Sequence, residues 1–339
     1  MSTLKDVAAL AGVSLTTVSI VANGKAGEKH ISPATVERVL AAIEQLGYRP
    51  NQSAQLLRAR TRRAPVVAYY WPLDYRTNLL GGRLANLQSV LREREARCEL
   101  VVQTYENGRL GEFLLPLRTG RYDGAIVAGA SRTDLDQLEA AALALPLVLV
   151  NAESRRYSTV GVDHVRMGMQ AAALLHRRGH RVCALVKTDA RYAGTDARTR
   201  RFLEACAQLG VSVPPELTFA APATIAGGAA AAEEFCVLSQ RPAAIFFESD
   251  CMAQGGVHTL HRMGLRVPED VEVLCYGMQE PETMQYLTPS ISCVAIPPGV
   301  DKQAMSMMLR LLSEPEAGPL HAELEPLVQL RDSFPSYSP

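Results

Sequence analysis

The sequence of 339 residues predicts an all-α helix-turn-helix head followed by an α/β body of two doubly wound parallel-sheet lobes. Near the N-terminus, two short helical patterns are joined by a tight Gly-Val-Ser turn. The basic run Arg58-Ala-Arg-Thr-Arg-Arg63 then predicts a junction between head and body. Beyond the junction, apolar strand patterns alternate with amphipathic helical patterns in two successive series, which is typical of parallel sheets covered by helices.

The head begins with two helices of about two turns each. Thr3-Leu-Lys-Asp6 resembles a capping box, and Gly12 ends the helix that follows it. Ser14 is a suitable N-cap for a second helix over 15–22. Two helices in this arrangement form a helix-turn-helix, whose second helix enters the major groove of DNA. A third helix is predicted over about 34–46.

In the body, the alternation of the two patterns assigns each element. Strands are predicted at 65–71, 100–105, 124–128, 147–150, 182–186, 243–247 and 271–276. Helices are predicted at 79–96, 109–118, 133–142, 167–178, 197–209, 226–239 and 251–264. Because this alternation occurs twice, we expect two parallel sheets, and ligands of such folds bind beyond the carboxyl ends of the strands.

Charge is divided unevenly along the chain. Lys plus Arg and Asp plus Glu number 35 each, so the formal net charge is zero. Residues 1–63, however, hold nine basic and four acidic side chains and carry +5, which leaves −5 for the rest. A compact basic module on an acidic body is typical of DNA-binding proteins, because phosphate contacts supply most non-specific affinity. The alternative is that the basic segment is merely a solvated surface.

The composition also bears on the cellular location. No run of about 18 apolar residues occurs, which argues against a transmembrane span and a membrane partner. The N-terminus lacks the basic-then-apolar layout of a signal peptide, so a cytoplasmic protein is expected. The seven cysteines contain no Cys-x-x-Cys pair and lie mostly in apolar stretches, so we expect them to be reduced.

Five motifs of the head occur in the order of one known family. They are Leu4-Lys-Asp-Val-Ala-Ala-Leu-Ala-Gly-Val-Ser14, Thr17-Val-Ser19, Asn23-Gly24, Ile31-Ser-Pro33 and Leu46-Gly-Tyr-Arg-Pro-Asn51. In this order, and with nearly the same spacing, they resemble the DNA-binding head of the lac/gal repressor (LacI/GalR) family. A helix-turn-helix pattern alone would be weak evidence, because short helix pairs also occur in proteins that do not bind DNA.

The body keeps motifs of the same family, so the resemblance extends from about 3 to 332. They include Val162-Asp163, Arg178-Gly-His180-Arg-Val182, Ser249-Asp250-Cys-Met-Ala253 and Gly264-Leu-Arg-Val-Pro-Glu-Asp270. The resemblance implies a body similar to periplasmic sugar-binding proteins, with two lobes, three crossovers between them and an effector in the cleft.

The resemblance assigns DNA contacts to individual positions of the head. Leu15, Thr16 and Ile20 occupy the recognition-helix positions that face base edges. The positions that contact or support the phosphate backbone are Ser14, Thr17, Ser19 and Asn23. The next segment matches the family's hinge helix, which folds on operator DNA. Its implied DNA contacts are Tyr48, Asn51, Ala54, Leu57 and Arg58.

Leu57 matches a leucine with a special role in the family. A pair of such leucines, one per subunit, wedges into the central minor-groove step and kinks the duplex, as apolar wedges do in other DNA-bending proteins. The alternative is that Leu56 and Leu57 simply pack a linker helix.

The head departs from the family pattern in two places. Ile20 stands where many members carry Arg or His, and it offers only an apolar contact such as one to a thymine methyl group. An unusual operator half-site is therefore expected. The loop 24–30 is longer than the common family loop by about three residues. Either it adds a phosphate contact through Lys25 or Lys29, or it is a solvated surface loop.

The resemblance also assigns effector-binding positions. Arg198 matches the arginine that grips ligand hydroxyls or carboxylates, Asp250 matches an acid bordering the cleft, and Asp163 lies at the first crossing between lobes. The loop after the first body strand offers a ring and polar groups at Trp71, Asp74, Arg76 and Asn78. Structural alternatives exist: Arg198 pairs within its helix, and Trp71 is a core ring.

The body departs from the family at one effector position. The family motif Gly-Phe-Asp-Asp is here Cys275-Tyr-Gly277-Met278, so Gly277 replaces a ligand-binding aspartate. A hydroxyl-rich sugar normally uses that acceptor, which puts a simple hexose effector in doubt. Either a nearby polar residue substitutes for it, or the effector is a different compound. The nearby candidates are Gln279, Glu280 and Glu282.

Two rival classes lack their sequence features. For an enzyme, the chain has no Gly-x-Gly-x-x-Gly after a strand, no phosphate-binding Gly-x-x-x-x-Gly-Lys-Ser/Thr loop and no Gly-x-Ser-x-Gly elbow. His258 and His261 beside Cys251 would lack a closing metal ligand, so neither a metal nor a cofactor is expected. A periplasmic binding protein would need a signal peptide and would lack the DNA head.

The sequence is therefore identified as a transcription regulator, expected to repress as a homodimer on double-stranded, pseudo-palindromic operator DNA. A small-molecule effector in the cleft, a sugar or sugar derivative, is expected to control operator affinity. The alternatives are a non-sugar effector and a co-repressed or activating regulator of the same fold.

The resemblance also implies domain bounds. The helix-turn-helix domain is expected at 1–49, the hinge helix and linker at 50–63, the effector-binding and dimerisation domain at 64–332 and a tail at 333–339. Lobe 1 is expected at about 64–161 and 295–320, and lobe 2 at about 162–292 and 323–332. No leucine-heptad tail follows Asp332, which favours a dimer over a tetramer.

Overall fold

The computed structural model describes residues 4–22, 31–46, 64–74, 76, 79–189, 192–278, 281–314 and 316–336. The chain divides into two compact units between Ala64 and Pro65. The first unit is all-α in its described part, and the second is an α/β body. The predicted fold class is confirmed.

The head contains three helices packed around a small apolar core. They are α1 (Leu4–Ala11), α2 (Leu15–Ala22) and α3 (Pro33–Gln45). Val7, Val18 and Val39 are fully buried, one from each helix, so the core fixes the angle between α1 and α2. The turn between α1 and α2 requires Gly12, whose φ of +66° lies in the left-handed region that favours glycine. All three predicted head helices are confirmed.

The described part of the body contains twelve strands. They are β1 (Val66–Pro72), β2 (Glu99–Tyr105), β3 (Gly124–Ala128), β4 (Leu147–Val150), β5 (Ser158–Val162), β6 (Ala184–Thr188), β7 (Thr218–Ala221), β8 (Ala244–Phe247), β9 (Glu272–Gly277), β10 (Ser292–Ala295), β11 (His321–Leu324) and β12 (Leu327–Gln329). All seven strands predicted for the body are present, while β5, β7, β10, β11 and β12 were not predicted.

Nine α-helices cover these strands in the described body. They are α4 (Leu80–Glu93), α5 (Leu115–Arg118), α6 (Arg132–Ala141), α7 (His164–Arg177), α8 (Ala193–Gln208), α9 (Ile225–Cys236), α10 (Asp250–Arg262), α11 (Pro281–Gln285) and α12 (Gly299–Ser313). The helix predicted over 109–118 is wrong as a single element. A 3₁₀ turn, Leu110–Phe113, is followed there by the one-turn α5, because Pro116 lacks the N–H that a continuous helix would use.

The strands form one six-stranded sheet in each lobe. The order is β11-β5-β4-β3-β1-β2 in lobe 1 and β12-β10-β9-β8-β6-β7 in lobe 2. All pairs are parallel except the antiparallel pair β10–β12. Both sheets are doubly wound, so the carboxyl ends of the parallel strands gather at one edge of each lobe, where ligands of such folds bind.

The chain crosses between the lobes after β5, after β10 and after β11. The predicted start of the last lobe 2 segment at 323 is wrong, because Glu323 and Leu324 pair with Gly161 and Val162 of β5 in the lobe 1 sheet. The first lobe 1 segment likewise extends to Val162, one residue beyond its predicted end. The strand β11 alternates exposed and half-buried residues, so it lacks the apolar run that marks the central strands.

Alternation along the central strands buries both faces of each sheet. In β1, Val67, Tyr69 and Trp71 enter a core that α4, α7 and α12 share, while Ala68 and Tyr70 enter the core on the opposite face of lobe 1. A third apolar cluster fills the space between the lobe 2 sheet and the helix pair α9–α10. Trp71 is 1% exposed, so its ring is part of the first core.

Glycines bring α9 and α10 into direct backbone contact. A Cβ atom added at Gly228 would lie 2.0 Å from the carbonyl oxygen of Met252. One added at Gly255 would lie 1.8 Å from the carbonyl oxygen of Ile225. Because real Cβ atoms do not approach so closely, these positions exclude any larger residue as long as the helices stay in place.

We expect Gly255→Ala to lower the free energy of unfolding by about 1–3 kcal/mol, because the added methyl group forces two helix backbones apart. The matched control is Gly81→Ala in α4, where an added Cβ meets nothing within 4 Å. That control should be neutral or stabilising by up to about 1 kcal/mol. Urea unfolding followed by circular dichroism measures both changes. Equal effects of the two substitutions would contradict the close helix contact.

Candidate functional site

The second head helix presents a solvent-facing surface. Leu15 is 44% exposed, Thr16 is exposed and Ile20 is half-buried. Val18 and Val21 on the opposite side are buried in the head core, so they fix the rotation of α2. The helix therefore presents at its surface the three side chains that the family resemblance assigns to base reading.

Ser14 begins this helix. Its hydroxyl oxygen accepts a hydrogen bond from the Thr17 backbone N–H at 3.1 Å and lies 2.9 Å from the Thr17 hydroxyl. Ser14 is thus the N-cap of α2. Six further DNA-contact candidates lie outside the described residues, namely Asn23, Tyr48, Asn51, Ala54, Leu57 and Arg58. The side chain of Ser19 is also outside the described part.

The two lobes meet at the N-terminus of α8. The Ala193 backbone N–H donates to the Ala130 carbonyl oxygen, beyond β3, at 3.1 Å. The Tyr192 hydroxyl donates to the Asp74 carbonyl oxygen at 3.0 Å. Gly194 lies so close to Asn151, beyond β4, that an added Cβ would be 2.6 Å from its carbonyl oxygen. The first turn of a lobe 2 helix therefore rests on the strand ends of lobe 1.

A buried ion pair joins the lobes at a second point. The Arg76 guanidinium, from the loop after β1, lies 2.6 Å from the Asp250 carboxylate at the start of α10, and both side chains are buried. The Asp250 carboxylate also accepts hydrogen bonds from the backbone N–H groups of Met278, at 2.7 Å, and Cys251, at 2.9 Å. Arg76 has a φ of +32°, which a non-glycine residue rarely adopts. Local backbone strain therefore accompanies this contact.

A small cavity of about 20 Å³ lies between these contacts. It is lined by Trp71, Arg83, Ala128, Gly129, Ala130, Val150, Asn151, Tyr192, Gly194, Thr195 and Arg198. A cavity of this volume holds about one water molecule. The lobes are therefore closed in this arrangement, and a sugar-sized effector needs them to separate.

Arg198 lines the cavity from the second turn of α8 and is 2% exposed. Its Nη2 donates to the Thr195 hydroxyl oxygen at 3.0 Å, within the same helix. Among the described residues, its Nε has no hydrogen-bond partner and no carboxylate lies within 4.0 Å of its guanidinium. Burial, together with the charge of Arg198, lowers the pKa of the neighbouring His164 to about 3.

Arg83 lines the cavity from lobe 1. Its Nη1 donates to the Asp301 carboxylate on α12 at 2.8 Å, in an ion pair with less than a tenth of either side chain exposed. Its guanidinium carbon lies 5.5 Å from the centre of the Trp71 ring, which is the geometry of a cation–π contact. Arg83 is therefore held from two sides, and Asp301 balances its charge.

Sequence reasoning missed four polar residues of the cavity wall, namely Arg83, Asn151, Tyr192 and Thr195. Arg83 precedes the buried Leu87 by four residues, so it stands on the apolar stripe of α4, and that misplaced charge was the available signal. Asn151 directly follows β4 and has a φ of +54°.

The predicted effector residues fall into separate groups. Trp71 and Arg198 line the cavity, while Arg76 and Asp250 bind each other across the cleft. Asp74 is exposed and contributes only its backbone oxygen to the lobe contact. The remaining candidate of the β1 loop, Asn78, lies outside the described residues.

Asp163 and Gly277 do not line the cavity. The Asp163 carboxylate accepts from the Arg166 N–H at 2.9 Å and so caps α7. Gly277 ends β9, where an added Cβ would lie 2.9 Å from the Ala295 Cβ and 3.0 Å from the Cys293 Sγ. The neighbouring strand β10 therefore leaves no space for an aspartate there. Gln279, Glu280 and the side chain of Glu282 are outside the described residues.

A second cavity, of about 220 Å³, also has walls from both lobes. It shares Asn151 with the first cavity, and its other polar lining residues are Arg132, Glu153, His164, Asp196 and Arg200. Acidic and basic groups are balanced here, two of each. The buried guanidinium of Arg198 therefore sets the first cavity apart.

Two further searches covered the described residues. No helix in this part of the chain is both long and apolar enough to cross a membrane. Likewise, the described His, Cys, Asp and Glu side chains include no group of three or more that could hold a metal ion.

A helix-turn-helix head on a two-lobed body with a closable cleft defines a ligand-controlled regulator of transcription. The family model described as bacterial regulatory proteins, lacI family, matches residues 3–51. A second model, for a periplasmic binding protein-like domain, matches residues 172–334. The head therefore carries a lacI-family domain and the body a periplasmic binding protein-like domain, and the predicted resemblance to this family is confirmed.

Similar proteins extend this result over nearly the whole chain. The transcriptional repressor PurR of Vibrio cholerae is 27% identical over 98% of both chains. The ribose operon repressor of Haemophilus influenzae is 26% identical over 98% of this chain and 99% of its own length. The chain is accordingly a DNA-binding transcription repressor with an effector-binding body, and it is not an enzyme.

Solved structures agree with this assignment. A LacI family regulator from Clostridium acetobutylicum is 29% identical and superposes with a TM-score of 0.73, covering 79% of this chain and 99% of its own. The transcriptional regulator CelR, solved as a complex with cellobiose, is 28% identical with a TM-score of 0.69, covering 98% of this chain and all of its own.

We expect Arg76→Met to weaken lobe closure, because it leaves the buried Asp250 carboxylate without its cation. Separation of the lobes rehydrates that carboxylate, so small-angle scattering should record a larger radius of gyration. Asp250→Asn should act in the same direction. The double variant should be less destabilised than the sum of the single variants, by about 0.5–3 kcal/mol.

The control for this cycle is Arg109→Met, which breaks a surface pair with Glu106 in which both side chains are more than half exposed. Exposed pairs contribute little, so this variant should change neither the radius of gyration nor the stability by much. Additive effects of Arg76→Met and Asp250→Asn would refute the closing role of their contact.

Proposed function

We propose that the chain represses transcription as a homodimer on a pseudo-palindromic operator, and that an effector in the cleft releases it. The observation that carries this proposal is the surface of α2, where Leu15, Thr16 and Ile20 face outward from a helix fixed by the head core. A two-fold dimer would place two such helices in successive major grooves. Acting on DNA, the protein would work in the cytoplasm.

The chemistry of the α2 surface favours apolar base reading. Leu15 and Ile20 offer only methyl and methylene groups, and the base-edge group they match in the major groove is the thymine methyl. Thr16 adds a hydroxyl that can donate to or accept from a base. Since none of the three can bind guanine through two hydrogen bonds, we expect half-sites in which thymines occupy the positions facing α2.

The DNA contacts outside the described residues complete the proposal. Leu57 would wedge into the central minor-groove step, with Ala54 and Arg58 beside it, while Tyr48 and Asn51 would contact the backbone. A wedge needs two subunits on one operator, so this role depends on the dimer.

Release of the protein from its operator would depend on the arrangement of the two lobes. Three contacts hold them closed: the Arg76–Asp250 ion pair, the Tyr192–Asp74 hydrogen bond and the Ala193–Ala130 hydrogen bond. A cavity of about 20 Å³ admits no sugar, so an effector can bind only a more open arrangement. Ligand binding then shifts the population between the two arrangements by its differential affinity for them.

A carbohydrate effector is supported by the relatives. One is named a ribose operon repressor, and another, CelR, was solved with cellobiose. The cavity wall also offers a mixture of an indole ring, amide, hydroxyl and guanidinium groups, which suits a compound with several hydroxyls. The class of carbohydrate is considered separately below.

The experiment that tests the proposed function is selection of bound duplexes from a random DNA pool with the full chain. We expect an inverted repeat with thymine-rich positions facing α2. Affinity for the recovered site should fall steeply between about 50 and 200 mM salt, because bound phosphates release counterions. Leu15→Ala should weaken binding to that site by about 1–2 kcal/mol, because each buried methylene group contributes about 0.8 kcal/mol.

A matched control is Leu40→Ala on α3, another exposed leucine of the head, at 51% exposure. It removes the same side chain away from the recognition surface and should leave operator affinity unchanged. Recovery of no repeated motif, or equal losses for Leu15→Ala and Leu40→Ala, would refute the assignment of α2 as the reading helix.

A further inference from the structure

The charge inside the cleft identifies a feature of the effector. Two buried guanidinium groups line the small cavity, Arg83 from lobe 1 and Arg198 from lobe 2. Asp301 forms an ion pair with Arg83, so that pair carries no net charge. Arg198 has no carboxylate within 4.0 Å in the described chain, so among the described residues its positive charge has no acidic partner.

The described acid Glu248 does not balance this charge. Glu248, at the end of the lobe 2 strands, feels the charge of Arg198 without forming an ion pair with it. Its carboxylate instead accepts from the Thr188 backbone N–H and the Thr199 hydroxyl. Burial raises the pKa of Glu248. His164 is uncharged at neutral pH, because burial and Arg198 lower its pKa to about 3.

The free donors of Arg198 fit a carboxylate. Its Nε–H has no partner in the described part of the chain, and Nη2 uses one of its two hydrogens for Thr195. These two nitrogens form one edge of the planar guanidinium, whose spacing matches the two oxygens of a carboxylate. A neutral hydroxyl would satisfy a donor but would leave the buried charge uncompensated.

The absence of an acid at Gly277 points in the same direction. An added Cβ at Gly277 would lie 2.9 Å from the Ala295 Cβ, so this position itself offers no acid that would bind sugar hydroxyls and repel an anion. The other cleft acid, Asp250, is already paired with Arg76 and hydrogen-bonded to the Met278 N–H. The cavity therefore favours a ligand with a negative group over a neutral ligand rich in hydroxyls.

We propose that the effector is an acidic sugar, whose single carboxylate binds the Nε and Nη2 edge of Arg198. This proposal rests on the proposed function, since it names the class of compound that enters the same cleft. A carboxylate carries one charge, which matches the one unbalanced guanidinium. A phosphate monoester carries nearly two charges at pH 7 and would leave the excess unpaired in a buried site.

The test is isothermal titration calorimetry of the full chain with matched pairs of compounds. The pairs are galacturonate with galactose, glucuronate with glucose, and gluconate with sorbitol; glucose 6-phosphate and galactose 1-phosphate form a separate arm. We expect binding by at least one carboxylate and at least tenfold weaker binding by its neutral partner, because only the carboxylate forms charge-assisted hydrogen bonds.

The Arg198→Gln variant then locates the carboxylate. It should lower the affinity for the acidic sugar by roughly ten- to hundredfold, which is the range for the loss of hydrogen bonds to charged groups. The control is Arg201→Gln on the same helix, where a partly exposed arginine pairs with Glu204 at 2.8 Å. Arg201→Gln should leave the affinity for the acidic sugar unchanged.

A measurement without ligand gives a second readout. Removal of an unbalanced buried charge should not destabilise the protein, so Arg198→Gln should melt at or above the temperature of the unmodified chain. If this variant fails to fold, the charge is already compensated and the proposal is overturned. A neutral sugar that binds as tightly as its acid, a phosphate that binds where no carboxylate does, or no binding by any acid would overturn it too.

These outcomes are independent of the DNA-binding test. A chain that selects an operator but ignores every acidic sugar refutes the effector class and leaves the repressor function intact. A chain that binds an acidic sugar but selects no operator refutes the proposed function instead. Addition of the bound acid to the chain on its selected operator should change operator affinity if both proposals hold.

Discussion

The buried ion pair between Arg76 and Asp250 determines the geometry of the cleft. It joins a loop of lobe 1 to the first residue of a lobe 2 helix, and the Asp250 carboxylate also binds the Met278 N–H beyond β9. A buried charge must be compensated, so opening the lobes requires water or ligand to replace the lost partner. The contact makes closure a two-state choice, because a partly separated pair gains neither close attraction nor full hydration.

The cleft distributes its charges in a way that single residues do not explain. Arg76 and Arg83 each have an acid, Asp250 and Asp301, while the described partner of Arg198 is the Thr195 hydroxyl. The first two arginines therefore hold the protein together, and the third is the one left for a ligand. Sequence alignment alone gives the same importance to all such arginines, and only their surroundings separate the structural ones from the recognising one.

Local patterns were sufficient to predict the head helices and the central strands. Gly12, the cap at Ser14 and the apolar runs of β1 or β9 depend on neighbours in sequence. The edge strand β11 depends instead on pairing with β5, some 160 residues earlier, as His321 with Thr159. The role of Arg83 depends on Asp301, 218 residues away, so no local pattern could assign it.

The cavity wall also connects the ligand site to the framework of lobe 1. Arg83 on α4 contacts the Trp71 ring on β1 and the Asp301 carboxylate on α12. One guanidinium therefore joins a strand and two helices. Trp71 on one lobe and Thr195 on the other line the same cavity as Arg198. Because Trp71 is part of the lobe 1 core and contacts Arg83, we expect a shift of its ring to be transmitted to the Arg83 guanidinium. Lobe 1 can therefore respond to a ligand through side chains that are fixed on both sides, which is what a discrete change of state requires.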